Sequence, residues 1–113
     1  MMIEEIILGY LSKSLDVPAY MEEPEKPPKE YLLIDKIGSS ESNMIQSAVI
    51  AVQSYGEGLY RSALLNAEVK ELMRDSVVLD SVSRCRLNSD YNYTDTETKR
   101  YRYQAVFDIV YYE

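Results

Sequence analysis

The apolar positions of this chain change period several times, and each change marks an element. Ile3, Ile6, Ile7, Tyr10 and Leu11 recur at spacings of three and four, the stripe of an amphipathic helix over residues 3–15. Glu4 and Glu5 fall in its first turn and Lys13 near its end, as the helix dipole favours. Residues 17–21 predict a short extended segment, with Pro18 confined to an edge or a strand start because it lacks an N–H. Residues 22–30 hold three prolines, which exclude a helix or a central strand and predict a charged loop. Tyr31–Ile37 predicts a strand around the apolar run Leu32, Leu33 and Ile34. Gly38–Ser42 reads as a turn and Met44–Gln53 as a second strand, although that window also fits a helix. The short turn between the two strands predicts an antiparallel hairpin.

Residues 57–74 are rich in Leu, Ala, Glu, Lys, Met and Arg and predict the strongest helix. Leu65, Val69 and Leu72 form its stripe, and Leu59, Ala63 and Ala67 add close packing. Gly56 and Gly58 loosen its start. Val82–Leu87 predicts a strand, and the polar stretch 88–98 a loop. Arg100–Tyr112 alternates with period two. Tyr101, Tyr103, Ala105, Phe107, Ile109 and Tyr111 share one face. The other face, from Arg100, Arg102 and Gln104 onward, becomes apolar only towards its end, which predicts deeper burial there. The expected order is α-β-β-β-α-β-β, an α+β class with a mostly antiparallel sheet flanked by two helices. A single domain over residues 1–113 suits this length, and a chain of this size can bury a real core without disulfides or metal.

Composition narrows the function classes. The aromatic set is eleven Tyr, one Phe and no Trp. Tyr fills strands, and it is also enriched at interfaces because it joins an apolar body to a polar tip. Net charge is −7. Residues 1–58 hold ten acids and four bases, and residues 59–113 nine acids and eight bases. Sustained binding to DNA or to an anionic membrane needs a basic footprint, so neither is expected. The N-terminus has acids inside its apolar run and no basic region, unlike a signal peptide. No apolar run nears the ~20 residues that span a bilayer. Synthesis in the cytoplasm is the default expectation.

The residues offer little chemistry. There is no His, the commonest general base and metal ligand. Cys85 is the only cysteine; it can form no intrachain disulfide and has no His to activate it. It is expected as a small apolar residue in a strand. A structural zinc site is impossible with one Cys and no His. Gly56-Glu57-Gly58 matches only part of a phosphate loop. Asp90, Asp95 and Glu97 fall in one expected loop, where they could hold a cation loosely, but their spacing does not match the EF-hand pattern. No enzyme, cofactor or metal site is therefore expected.

Surface for partners remains. Loops beyond about 12 residues are usually functional or disordered. The 88–99 loop is expected to order on meeting a partner, with Tyr91 and Tyr93 as anchors and Asn92 and Asp95 beside them. Alanine at both tyrosines would then weaken assembly and leave the melting temperature unchanged. The acidic loop 22–30, with Glu22, Glu23 and Glu25, is its rival.

Four stretches carry a family resemblance: Tyr31–Gly38 (YLLIDKIG), Ala51–Gly56 (AVQSYG), Leu87–Thr96 (LNSDYNYTDT) and Arg102–Ile109 (RYQAVFDI). They resemble small prophage proteins of Gram-positive bacteria, similar to the tail-completion or tail-terminator proteins of siphophages. The resemblance covers most of the chain, and its motifs are structural signatures with no catalytic content. It implies an antiparallel sheet flanked by helices and self-association into a ring, expected to be a hexamer, at the head–tail interface of the virion. The implied partners are the tail tube protein and a head completion or connector protein. DNA would pass through the lumen without sequence-specific binding, and an acidic lumen would keep it from adhering. Neutralising Glu22, Glu23 and Glu25 together is expected to slow DNA ejection if they face that channel. The alternative is another connector component or a small host-directed binding module.

Overall fold

Five strands form one sheet in the order β1-β2-β3-β5-β4, and two helices cover one of its faces. The structure, a computed structural model, describes residues 2–112, so Met1 and Glu113 of the expected domain lie outside the described residues. In chain order the elements are α1 (Ile3–Ser14), β1 (Ala19–Tyr20), β2 (Tyr31–Ser42), β3 (Ile45–Tyr55), α2 (Leu59–Arg74), a 3-10 turn (Ser76–Val78), β4 (Val82–Asn92) and β5 (Arg102–Tyr111). The class is α+β and most pairings are antiparallel. β1 is the exception: it runs parallel to β2, which makes the sheet mixed, and the 3-10 turn adds to the expected succession. Among the described residues, no helix is long and apolar enough to cross a membrane.

The helices form for local reasons and stay for tertiary ones. The Glu5 carboxylate accepts from the Met2 backbone N–H at 3.2 Å, satisfying one of the four donors that a helix start leaves orphaned. Ile3, Ile7 and Leu11 of α1 then pack with Leu65, Val69 and Met73 of α2 and with the sheet. From the sheet come Leu32 and Ile34, Ala48, Ile50 and Val52, and Ala105, Phe107, Ile109 and Tyr111. The Tyr10 hydroxyl donates to the Leu72 carbonyl at 2.8 Å and ties the helices together.

Several expectations change. Gly38–Ser42 is not a turn, because β2 runs through it to Ser42. The turn is Asn43-Met44, with φ of 51° and 68°. Two left-handed residues suit the right-handed twist of a two-residue hairpin, so the chain reverses there and the Gly-Ser run stays paired with β3. A register shift between Lys36 and Gly38 leaves Ile37 unpaired as a bulge. β4 likewise continues to Asn92, so residues 88–92 of the expected loop are strand. Their pairing with β5 satisfies one side of their backbone whatever their polarity, and an edge strand needs no apolar face.

The α2 stripe runs through Ser62, Leu65, Asn66, Val69 and Met73, while Ala67 is exposed. Leu72 sits at the stripe's margin, half-buried. Gly56 does more than loosen the helix: a Cβ there would lie 2.5 Å from the Ser62 backbone nitrogen, so only glycine allows α2 to start against β3. On the second face of β5 the deepest residue is Val106, in mid-strand, and Val110 nearer the end is only half-buried. Burial there follows distance from the sheet's rim rather than the apolar run.

Candidate functional site

Among the described residues, no helix covers the second face of the sheet. Alternation places Tyr31, Leu33 and Asp35 of β2 there, with Tyr55, Gln53, Ala51 and Val49 of β3, Arg102, Gln104, Val106 and Asp108 of β5, and Arg84, Arg86 and Tyr91 of β4. At one end, aromatic rings and guanidinium groups form a row across the strands. Tyr20 meets Tyr31 edge-on at 6.0 Å between centroids, and Tyr31 stacks on Tyr55 at 4.4 Å, nearly parallel. Arg100 and Arg102 lie 4.9 and 5.6 Å from the Tyr55 ring centre, and Arg102 lies 4.5 Å from that of Tyr93. Tyr93 meets Tyr91 edge-on at 5.9 Å. These separations are those of aromatic and cation–π pairing.

Hydrogen bonds fix the row. Arg102 donates through Nη1 to the Tyr55 hydroxyl at 2.7 Å and through Nε to the Tyr93 carbonyl at 2.8 Å. The Gln53 amide donates to Gln104 at 2.9 Å, and the Gln104 amide donates to the Tyr91 hydroxyl. Tyr31 donates its hydroxyl to Glu23 at 2.7 Å, and Arg100 donates through Nη2 to both Glu23 and the Tyr31 oxygen. The Arg100 hydrogen bond, then that of Tyr31, holds the Glu23 carboxyl below the usual glutamate range. Burial, then the bond to Glu23, pushes the Tyr31 phenol well up. Tyr31 therefore serves as a neutral donor at any physiological pH.

One residue of register makes this row possible. Ser42 faces Ile45 across the hairpin tip, and the bulge at Ile37 brings Tyr31 opposite Tyr55. Were Ile37 paired in the ladder instead of bulged, Tyr31 would face Gly56, and every side chain of β2 on the Tyr31 side of the bulge would change face.

The two rival segments meet at this row, through Glu23, Tyr91 and Tyr93 of the residues expected and without the others. Glu23 is the member of the 22–30 strap that joins it, while Glu22 and Glu25 are exposed and make no side-chain bond among the described residues. Tyr91 and Tyr93 both belong to it. Asn92 caps the turn beyond, accepting from the Thr94 N–H at 3.0 Å, and Asp95 does the same for Glu97 at 3.1 Å. Hydrogen bonds from Thr98 and Glu97 hold the Asp95 carboxyl low. Beyond β4 the segment is tied back to the chain before β5: Tyr93 N–H bonds to the Arg102 carbonyl, and Asp95 bridges Arg100. Asp90 is drawn away to α2, 3.3 Å from Lys70 and 3.4 Å from Asn66. Among the described residues, no three metal-ligating side chains converge.

Tyr20, Tyr31, Tyr55, Arg100, Arg102 and Gln104 are site members that pattern reading did not single out. A signal existed for three of them. Arg100, Arg102 and Gln104 alternate against the buried face of β5, so a long central strand turns guanidinium groups to one side. No family model matches the chain, and no curated protein matches it.

Proposed function

We propose that this chain is a structural assembly protein of the phage tail-completion type. It joins or terminates the tail tube at the head–tail interface, through ring assembly and protein–protein contacts and without a catalytic step. One observation supports this most: a sheet face left bare of helices and lined at one end by a preset tyrosine–arginine row. Tyr and Arg are the residue types that dominate interface hot spots, and fixing their rotamers beforehand lowers the ordering cost of association. The sequence resemblance supplies the setting, with the tail tube protein and a head connector protein as partners. The hairpin tip adds a second contact surface, since Met44 is 90% exposed at the end of a 45 Å molecule.

Adding the protein to tails that lack it and imaging them by negative stain tests the reading directly. Rings at the tail end are expected, and self-association on sedimentation, alone or with tail tube protein. The double variant Tyr91→Ala/Tyr93→Ala should impair that assembly. It should lower the melting temperature only slightly, because both tyrosines lie outside the core at 42% and 43% exposure. A protein that stays monomeric and ignores tails would instead favour another connector component or a host-directed binding module.

A further inference from the structure

We propose that the tyrosine–arginine end of the open face is a socket for an acidic peptide segment of a partner protein, with Glu23 standing in for the partner's carboxylate. The inference names a ligand class for the surface just assigned and rests on reading that face as the binding surface.

The socket is under-filled. Arg100 meets Glu23 through a single nitrogen, and Glu23 uses a single oxygen, Oε1, for both Arg100 and Tyr31. A guanidinium carries five N–H donors in a rigid fork and binds a carboxylate best through two parallel bonds. Nε and Nη1 of Arg100, and Nη2 of Arg102, have no partner among the described residues. Arg102 makes no ion pair among the described residues, nor do Lys29 and Lys99. Lys29, Lys99 and Arg100 line one shallow pocket of about 150 Å³ beside Tyr31 and Tyr55, with Glu57 the only acid in its wall. In a chain of net charge −7, this is a local inversion of sign. The donors are also held ready. Arg102 is clamped between the Tyr55 and Tyr93 rings, so little side-chain freedom remains to be lost on binding.

The occupant's chemistry follows from what already sits there. The strap over residues 21–30 is an acidic, proline-bearing segment without regular structure, and it delivers one carboxylate. A partner segment of the same kind, offering a carboxylate with both oxygens, would make the fuller contact. Nucleic acid fits less well. Stacking of bases needs open ring faces, whereas Tyr31 and Tyr55 stack on each other, lie against Arg100 and Arg102, and are buried, and the overall charge repels a polyanion.

The test uses the full chain and a fluorescent peptide copying residues Tyr20–Tyr31 of this protein, read by anisotropy. The controls are the same peptide with its Glu residues at 22, 23 and 25 changed to Gln, and oligothymidylate. The strap competes at high effective concentration in the native chain, so Glu23→Ala should bind the acidic peptide more tightly. The Gln peptide should bind that variant about tenfold more weakly or worse, as loss of charge-assisted hydrogen bonds implies. Arg102→Gln in the Glu23→Ala background should weaken binding similarly, with Arg102→Lys intermediate and a melting curve confirming the fold. Equal binding of the two peptides, no binding to Glu23→Ala, no gain over the native chain, or oligothymidylate bound as tightly would each overturn the socket. Sedimentation of the same samples scores self-association separately. A failed socket with intact rings leaves the assembly role standing, and peptide binding by a chain that never assembles does the reverse.

Discussion

The two faces of the sheet share a backbone and hold the molecule in different ways. On the covered face, Ile50, Val52, Ala105 and Phe107 are buried beneath the two helices, and stability there comes from apolar area removed from water. On the open face, Tyr31 and Tyr55 are almost as buried, at 2% and 4% exposure. Their cover is each other, two arginines and the strap. Burial under helices fills space non-directionally, whereas burial under rings and guanidinium groups depends on angles and hydrogen bonds. The first arrangement makes a core. The second makes a surface that holds its shape before any partner arrives.

Substitutions at neighbouring residues can break this contrast. Phe107→Ala empties the centre of the covered face and should cost about 3–5 kcal/mol, measured by urea denaturation. Val106→Thr, one residue away on the open face and also buried, should cost about 1–3 kcal/mol for its desolvated hydroxyl, less than the cavity left at Phe107. Equal losses would show the two faces to be one core. Gly56→Ala comes next. Its Cβ would meet the Ser62 nitrogen and the Arg61 carbonyl carbon at 2.5 and 2.9 Å, backbone atoms that cannot swing aside. Overpacking of this kind costs about 1–3 kcal/mol, and the same denaturation curve reads it.

At the far end of the hairpin the expected sign reverses. Met44 holds a φ of 68° with its side chain in solvent, so Met44→Gly removes backbone strain and loses no packing. A gain of about 0.5–1 kcal/mol is expected, net of glycine's greater freedom when unfolded. A loss would show that the Met44 side chain contributes to the fold.

The smallest effect is on acid stability. Glu23 and Glu30 are both held below the ordinary glutamate value of 4.5, the first chiefly by Arg100 and the second chiefly by Arg61. A carboxyl with a depressed folded pKa contributes stability that is fully present above its unfolded value. That contribution is lost as pH falls through the folded value. Melting temperature should therefore drop on acidification below about pH 4.5, and Glu23→Gln with Glu30→Gln should flatten part of that drop. Both pairs are near the surface, so solvent screening keeps the change small. Salt should erase it.

Much of this was legible along the chain. The period-two run of β5 assigned Phe107 to one face and Arg102 to the other, and helix formers announced α2. The edge segments were not legible. Ser39–Ser42 and Asn88–Asn92 are polar on both sides, and they are strands only because a neighbouring strand pairs with their backbone. Half the candidate site was hidden for the same reason. Tyr31 opens one strand of the hairpin and Tyr55 closes the other, so their meeting depended on the register, and Glu23 was one acid among several.

The sequence by itself determined the α+β class, the two helices, the inward face of β5 and the poverty of catalytic groups, because periodicity and residue type are local properties. Tertiary structure alone decided that Glu23 meets Arg100, 77 residues away, and that Tyr31 lies against Tyr55. Those contacts depend on a two-residue turn, a single bulge and the sheet's strand order, and no local period encodes a register.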